Sequence, residues 1–300
     1  MHSSWSVVRR KFFDKPDSDY HLEGKGNNMH FFTFTPNNCG DCSVKAWSHS
    51  THGSDQMVQL KYPAVVICPG GAYEMIADTE ADPVAEQFFA AGFNVFILKY
   101  SIGEKAKDFG PLIQLVSTIA HIRNHSEEYC TEKYKIAVCG FSAGGHLAAS
   151  SGTLFNEPRF LERYTGSKDI RPDAMILSYP VITSDEFAHV GSIENVSADK
   201  CGGDTYNWFG LDQHVDVQTP PTFLWHTAED EVVPVENSLK MALALSGAGV
   251  PFEMHIFPFG EHGMSVCNRT VGRPSEHNAQ WVDLCINWLR MTFQISPFEI

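Results

Sequence analysis

The sequence contains no apolar run approaching the roughly 20 consecutive residues that a helix needs to cross a bilayer. Its first ten residues include Arg9 and Arg10 but lack the apolar stretch of a secretory signal. Together these features predict a cytoplasmic protein that does not use a membrane as a partner.

Positive charge is also scarce. The 300 residues carry 22 Lys and Arg against 36 Asp and Glu, which gives a formal net charge of −14. An acidic surface repels phosphates, so nucleic acid and anionic lipid are excluded as main partners. The acidity itself indicates no substrate.

Cysteine is present but not arrayed as in disulfide-rich or metal-binding domains. Eight cysteines are scattered along the chain, and Cys68, Cys139 and Cys285 lie inside apolar segments. A thiol in such a segment behaves as a small buried hydrophobe, which suits a reducing compartment.

One cluster invites a metal site. Cys39 and Cys42 precede His49 and His52, but the gap between the pairs is shorter than in zinc fingers and the second pair is unusually close. We interpret this segment as a polar surface loop, and we predict neither a metal nor a cofactor.

No internal repeat or low-complexity tract divides the chain, and a hydrophobic content of 43% can fill a large core. We therefore predict a single α/β domain over residues 1–300. After Pro63, short β-branched apolar runs alternate with segments of helical period. The runs that predict buried strands are 64–68, 94–98, 136–139, 174–177, 222–225 and 253–257. The helical segments lie around 84–91, 112–122, 239–244 and 281–289. Such alternation predicts a mostly parallel sheet with helices on both faces.

Two regions depart from this alternation. Residues 1–60 hold one alternating stretch, around His30 to Phe34, and predict antiparallel edge strands and loops. Residues 181–219 are rich in Asp, Gly, Ser and His. We interpret this second region as an excursion over the active site rather than as a domain of its own.

The most informative motif is a Gly-x-Ser-x-Gly pattern formed by Gly140, Ser142 and Gly144. An apolar strand pattern runs directly into it and a helix of small residues follows, as in a nucleophile elbow. Glycines flank the serine because a Cβ there would collide with the neighbouring strand and helix. Ser142 is the candidate nucleophile. The alternative is a glycine-rich turn that only packs.

A catalytic serine needs a base to accept its proton and a carboxylate to orient that base. The loop after the strand at 222–225 supplies Glu229, Asp230 and Glu231 as candidate acids. Spacing does not choose among them, because neighbouring loop residues point in different directions.

The candidate base is His262, which lies between glycines in the loop after the strand at 253–257. His226 is its rival, but it precedes the acidic loop. It is better suited to orient that loop or to pack at the strand end.

The oxyanion of a tetrahedral intermediate needs backbone N–H donors, one of them from the residue after the nucleophile. That residue is Ala143. A glycine-rich loop follows the strand at 64–68, and there Gly71 is the second predicted donor and Ala72 a further candidate.

Segments 66–73, 140–148 and 225–239 together resemble motifs of the α/β-hydrolase superfamily. More narrowly, they resemble its acetyl esterase and acetylxylan-esterase-like branch, which is related to hormone-sensitive-lipase-type esterases. The resemblance covers roughly residues 60–293 and implies the α/β-hydrolase fold. It also implies a Ser-His-Asp triad of Ser142, His262 and Asp230, the acid being the Asp two residues before Val232.

The same resemblance implies a carboxylic ester hydrolase that removes acetyl groups from small-molecule esters, such as acetylated sugars or xylan fragments. Two departures stand in the oxyanion loop: Pro69 replaces a frequent His, and Ala72 replaces a third glycine. The hole then depends on whether Ala72 can adopt the required backbone angles.

Aromatic residues near these motifs are candidates for stacking on a sugar ring, namely Tyr73, Tyr179, Trp208 and Phe209. For Trp208 and Phe209 the alternative is packing of the excursion onto the body of the protein. Two other functions use the same fold: a serine peptidase of prolyl-oligopeptidase type and a non-catalytic binding protein. The sequence leaves a homo-oligomer open.

Overall fold

A computed structural model of the chain describes residues 21–26, 29–37, 39–49 and 60–295. The start of the chain, Met1 to Tyr20, and His52 of the cysteine and histidine cluster lie outside the described residues. The N-terminal prediction can therefore be compared with the structure only in part.

A nine-stranded sheet forms the centre of the molecule. Its strands are β1 His21–Gly26, β2 Met29–Phe34, β3 Ser43–His49, β4 Tyr62–Cys68, β5 Asn94–Lys99, β6 Thr131–Phe141, β7 Ala174–Ser178, β8 Thr222–Thr227 and β9 Phe252–Phe257. The order across the sheet is β1-β2-β3-β5-β4-β6-β7-β8-β9. The six strands β4 to β9 are parallel to one another, and β1, β2 and β3 form an antiparallel edge. The sheet is thus mostly parallel, as the alternation predicted.

Eight α-helices connect or cover these strands in the described residues. They are α1 Asp82–Ala90, α2 Gly110–Asn124, α3 Ala143–Thr153, α4 Pro158–Leu161, α5 Val190–Ser197, α6 Asp204–Trp208, α7 Glu236–Ala248 and α8 Glu276–Thr292. Helices α2, α3 and α7 pack on one face of the sheet, and α1 and α8 pack on the other. Within the described residues, no helix combines the length and the hydrophobicity that a membrane span requires.

A hydrophobic core covers each face of the sheet, and this explains why the sequences of the central strands are continuous apolar runs. In β4, Val66 and Cys68 face the α2 and α3 side, whereas Val65 and Ile67 face the α1 and α8 side. A strand covered on both faces has no solvent side to mark with polar residues. This arrangement places the carboxyl ends of the parallel strands along one edge, where ligands bind in open α/β sheets.

The segment 181–219 contains the short helices α5 and α6 and a 3₁₀ turn at Leu211–His214. It lies beside the loop that follows β4, where the Asn195 side chain donates to the Ala72 carbonyl oxygen over 2.9 Å. This contact joins the segment between β7 and β8 to the loop after β4.

The interpretation of residues 39–42 as a polar surface loop is wrong for its cysteines. Cys39 and Cys42 are 5% and 3% exposed and belong to the core on the α2 side. The Cys39 carbonyl oxygen accepts a hydrogen bond from Gln114. The local sequence is polar, but the turn directs both thiols inward, where they fill space as small hydrophobes.

Candidate active site

Ser142 occupies the sharp turn between β6 and α3. Its backbone angles are φ 54° and ψ −120°, a combination that a non-glycine residue rarely adopts. Strand β6 ends at Phe141 and α3 begins at Ala143, so Ser142 is the single residue between the strand and the helix. The strand, turn and helix that the motif predicted are all present.

The flanking glycines are required by close contact with backbone. A Cβ on Gly140 would overlap the carbonyl oxygen of Gly144, and a Cβ on Gly144 would overlap the carbonyl oxygens of Cys68 and Pro69. These atoms belong to the following helix and to the end of neighbouring β4, which are the two collisions predicted from sequence. The glycines therefore let the helix start directly against the sheet.

A row of hydrogen bonds joins three residues that are far apart in sequence. Ser142 Oγ lies 2.9 Å from His262 Nε2, and His262 Nδ1 lies 2.6 Å from Asp230 Oδ2. Each residue stands just beyond a parallel strand: β6 for Ser142, β8 for Asp230 and β9 for His262. The structure thus brings together the predicted nucleophile, acid and base.

Of the three candidate acids, only Asp230 is buried; Glu229 and Glu231 are exposed. Burial on its own would raise the pKa of Asp230, but hydrogen bonds from His226 and His262 hold that pKa well below its usual range. The backbone N–H groups of Val232 and Val233 also donate to Oδ1, over 3.0 and 2.9 Å. The carboxylate is therefore ionised and fixed in orientation.

His226 supports the acid and lies away from the serine. It is fully buried, and its Nε2 donates to the Val233 carbonyl oxygen over 2.9 Å and lies 3.3 Å from Asp230 Oδ2. Its Nδ1 accepts from the Ser238 hydroxyl over 2.8 Å. The imidazole thus holds the acidic loop against α7, the role predicted for it when His262 was preferred as base.

The predicted oxyanion donors come from the loop after β4 and from the start of α3. Gly71 and Ala72 line the same cavity as Ser142, with φ of 125° and 57°. Ala72 therefore adopts the left-handed conformation in place of the family's third glycine. Ala143 is the first residue of α3, and an N–H in the first turn of a helix has no partner within the helix.

The cavity at Ser142 has a volume of about 590 Å³. It is lined by Ser142, His262 and Glu80, by residues of the loop at 71–79, and by His189, Val232, Gly263 and Arg273. Among the described residues, no group of three or more His, Cys, Asp or Glu side chains is placed to hold a metal ion.

The four predicted aromatic contacts lie elsewhere, and the prediction that they line this cavity is wrong. Tyr73 is 1% exposed and its hydroxyl bonds to His146 Nδ1 over 2.9 Å. Tyr179 is 2% exposed and donates to Glu80. Trp208 and Phe209 pack on Phe109, with ring centroids 5.5 and 5.7 Å away, which is the alternative given for the excursion. The local sequence does not show that these aromatic side chains are already in contact with other residues of the protein.

The sequence did not identify several polar residues that line the cavity, among them Glu80, His189 and Arg273. Arg273 donates to the carbonyl oxygen of His262 and lies 3.3 Å from a Glu261 oxygen. His189 lies in the excursion and caps the N-terminus of α5, accepting from the Ser192 N–H. The only available signal was the position of His189 inside the segment predicted to cover the active site.

Known proteins share this architecture and parts of this sequence. A family model described as BD-FAE matches residues 54–245. Endo-1,4-beta-xylanase B of Butyrivibrio fibrisolvens is 34% identical over 212 residues, which cover 70% of this chain and 33% of that protein. The acetylxylan esterase of Xylanibacter ruminicola is 26% identical over 76% of this chain and 45% of that protein. The chain thus spans less than half the length of either relative.

A solved structure of an acetyl ester-xyloside bifunctional hydrolase from Caldicellulosiruptor lactoaceticus is 34% identical to this chain. It superposes with a TM-score of 0.72 over 84% of this chain and 89% of that one. The fold and the resemblance predicted from the three motifs are confirmed. The chain belongs to the BD-FAE family, within the acetyl esterase-like branch of the α/β-hydrolase superfamily.

Proposed function

We propose that this protein hydrolyses small acyl esters, acetyl esters foremost, with Ser142 as nucleophile, His262 as base and Asp230 as the acid that orients it. The observation that carries the proposal is the hydrogen-bonded row from Ser142 Oγ through the His262 ring to Asp230. Nucleophile, base and orienting carboxylate are the three parts that serine hydrolysis requires.

The direction of these bonds gives the proton transfers. Asp230 is an ionised acceptor, so His262 Nδ1 carries the proton and Nε2 offers its lone pair to the Ser142 hydroxyl. As Oγ bonds to the ester carbonyl carbon, its proton passes to Nε2 and then to the leaving alcohol. Water repeats the sequence on the acyl-enzyme, which releases the acid and restores the serine.

Negative charge builds on the carbonyl oxygen during both halves of the reaction. The N–H of Ala143, at the positive end of α3, and the N–H groups of Gly71 and Ala72 are the proposed donors to it. All three are backbone groups beside Ser142, so they need no rearrangement when the charge develops.

Acetylated sugars or xylan fragments are the proposed substrates. Relatives named for acetylxylan or xyloside chemistry support this choice. The cavity wall supports it as well, since Glu74, His189 and Arg273 offer charged and polar groups suited to sugar hydroxyls.

His189 replaces the aromatic residues as the proposed sugar contact. Its Nδ1 accepts the Ser192 N–H over 3.3 Å and lies 2.9 Å from the Ser192 hydroxyl, so the ring proton is on Nε2. Burial lowers the pKa of His189, and the nearby His262 lowers it further, which favours this neutral form. The Nε2–H is then a donor available to an oxygen of the substrate.

Ester screening tests the proposal. Purified protein is assayed with 4-nitrophenyl acetate, acetylated xylo-oligosaccharides, feruloyl esters and longer acyl esters of the same sugar. We expect the highest kcat/KM for acetyl esters of sugars. Cleavage of aminoacyl arylamides without ester hydrolysis would instead favour the peptidase, and no turnover of either class would favour a binding protein. The cytoplasmic location and the oligomeric state stay predictions.

A further inference from the structure

Glu80 is a buried residue that lines the Ser142 cavity, and no step of the proposed reaction uses it. It ends a short 3₁₀ helix, Asp78–Glu80, and is 3% exposed. Its Oε2 accepts the N–H of Gly70 over 2.7 Å, and its Oε1 accepts the hydroxyl of Tyr179 over 2.7 Å. Both oxygens therefore receive hydrogen bonds.

The two donors to Glu80 favour a negative charge on its side chain. The Ser265 N–H donates to the Tyr179 hydroxyl oxygen over 2.9 Å, and the Tyr179 proton then has Glu80 as its acceptor. The Gly70 N–H can only donate. A carboxylate accepts both bonds without a proton of its own to place, so these bonds favour the ionised form of Glu80. They act against its burial, which raises the pKa of Glu80.

One of these bonds holds the oxyanion loop. Gly70 directly precedes the proposed donors Gly71 and Ala72, and it approaches the serine closely. A Cβ on Gly70 would lie 3.0 Å from the Ser142 Cβ and 2.8 Å from the Phe141 carbonyl oxygen. The carboxylate thus fixes the loop at the point where the loop meets the nucleophile.

The other bond leads to the base. Tyr179 follows β7, and its ring stands edge-on to the His262 ring with centroids 5.1 Å apart. The Tyr179 hydroxyl is held by Glu80 and Ser265 at once, so the ring has little freedom to move. Glu80 therefore connects the loop that would bind the oxyanion with the side chain that packs on the base.

From this geometry we infer that Glu80 is a positioning residue. As a carboxylate, it holds the oxyanion loop through Gly70 and the base through Tyr179, and its charge stabilises the imidazolium that His262 becomes. The inference rests on the proposed function. A negative charge near an imidazole favours the protonated ring.

Other charged and titratable groups also lie near Glu80 and His262. His262 is hydrogen-bonded to Asp230, and His189 also lines the cavity. Arg273 holds the His262 carbonyl oxygen and pairs with Glu261 at the rim. Burial raises the pKa of Glu80, and the charges of His262 and Arg273 lower it. Burial also raises the pKa values of Tyr100 and Cys139, and the charge of Glu80 raises both further. All of these except Glu80 itself stay unchanged in a Glu80→Gln variant.

The test compares Glu80→Gln with Tyr179→Phe by steady-state kinetics on 4-nitrophenyl acetate across pH. Glutamine has one oxygen, so it keeps one bond and loses the charge. We expect kcat to fall about 10-fold to 100-fold, with KM within about twofold. Without the negative charge, protonated His262 is less stable, so the acidic limb of kcat/KM should move to lower pH by about half a unit.

Tyr179→Phe keeps the carboxylate and the ring on His262 but breaks one bond of Glu80. We expect kcat to fall by about threefold to tenfold, with the acidic limb at its wild-type position. A wild-type kcat in Tyr179→Phe, or a Glu80→Gln variant with wild-type kcat and limb, overturns the inference. So does an equal shift of the limb in both variants. Thermal unfolding identifies a variant that fails to fold, in which case the Tyr179→Phe result decides.

Failure of the proposed function has a different signature. In that case the wild-type protein hydrolyses no ester at all, and the inference fails with it. Failure of the inference alone leaves an active wild type, sensitive to loss of Ser142 but indifferent to the Glu80 and Tyr179 changes.

Discussion

The Asn195 side chain in the excursion donates to the carbonyl oxygen of Ala72 over 2.9 Å and to a Glu74 oxygen over 3.0 Å. One amide thereby ties the segment 181–219 to the loop proposed to bind the oxyanion. Ala72 has a left-handed backbone and cannot rely on glycine's freedom, so an external hydrogen bond helps to hold its peptide in place.

An Asn195→Asp variant tests this connection. It replaces the donor with a carboxylate that faces both the Ala72 carbonyl and Glu74, so the loop should be pushed away from the serine. We expect kcat on 4-nitrophenyl acetate to fall about tenfold. The control is Asn207→Asp, the same change at an exposed position of the excursion. Equal rates in the two variants would show that the contact does not matter for activity.

Asp230→Asn should remove most of the activity. Val232 and Val233 donate to one side-chain oxygen, so the new NH₂ group would face His262 Nδ1. The imidazole would then accept there and carry its proton on Nε2, where it cannot take the Ser142 proton. A fall in kcat of about 10⁴-fold is expected.

The matched control for Asp230 is Glu231→Gln, which neutralises an exposed neighbour. It should keep nearly all of the wild-type rate. A large loss of activity in Glu231→Gln with a small loss in Asp230→Asn would show that Asp230 is not the acid of the triad.

His189→Asn separates sugar binding from helix capping. Asparagine is a good N-cap and can still accept the Ser192 N–H, but it lacks the Nε2–H donor. We expect KM for acetylated xylo-oligosaccharides to rise about fivefold to tenfold, with little change for 4-nitrophenyl acetate. The same KM for both classes of ester in variant and wild type would remove His189 from the substrate site.

Stability should fall as the pH drops from 7 to 5. Burial lowers the pKa of His146 from 6.5 to about 4 in the folded protein. Below about pH 6.5, His146 therefore binds a proton in the unfolded chain but stays neutral in the folded protein. The free energy of unfolding declines below that pH for this reason. One such histidine contributes a loss of about 2 kcal/mol by pH 5.

Urea denaturation at both pH values measures this loss. In His146→Gln the glutamine can still bond to Tyr73 and to the Phe209 carbonyl, the two partners of His146, without titrating. Its unfolding free energy should depend less steeply on pH than that of the wild type. His121, whose pKa burial lowers to about 4, accounts for part of the remaining slope. A steeper dependence in the variant would contradict the assignment.

The parts of the site that sequence predicted are those set by backbone order. Ser142, Asp230 and His262 each follow a strand whose apolar run could be recognised, and parallel strands bring their ends to one edge of the sheet. The glycines around Ser142 carry their own steric reason. Spacing alone does not choose among the three neighbouring acids. The family resemblance implies Asp230, and burial in the folded chain separates Asp230 from the exposed Glu229 and Glu231.

The parts that sequence missed depend on where side chains turn after the chain folds. Tyr73 and Tyr179 follow strand ends just as the catalytic candidates do. Both are buried, however, and their hydroxyl groups form hydrogen bonds with His146 and Glu80. Glu80 reads as an ordinary acid ahead of a helix, and only the fold buries it under Gly70. Cys39 and Cys42 sit in a polar stretch whose turn directs them inward.

The most direct test of the proposed chemistry is the turnover of an acetyl ester by Ser142→Ala compared with wild type, with fluorophosphonate labelling of both. The proposed mechanism predicts a kcat lower by several orders of magnitude in the variant. It also predicts covalent labelling of the wild type at Ser142 and none of the variant. Unchanged turnover, or equal labelling of the two proteins, would contradict it.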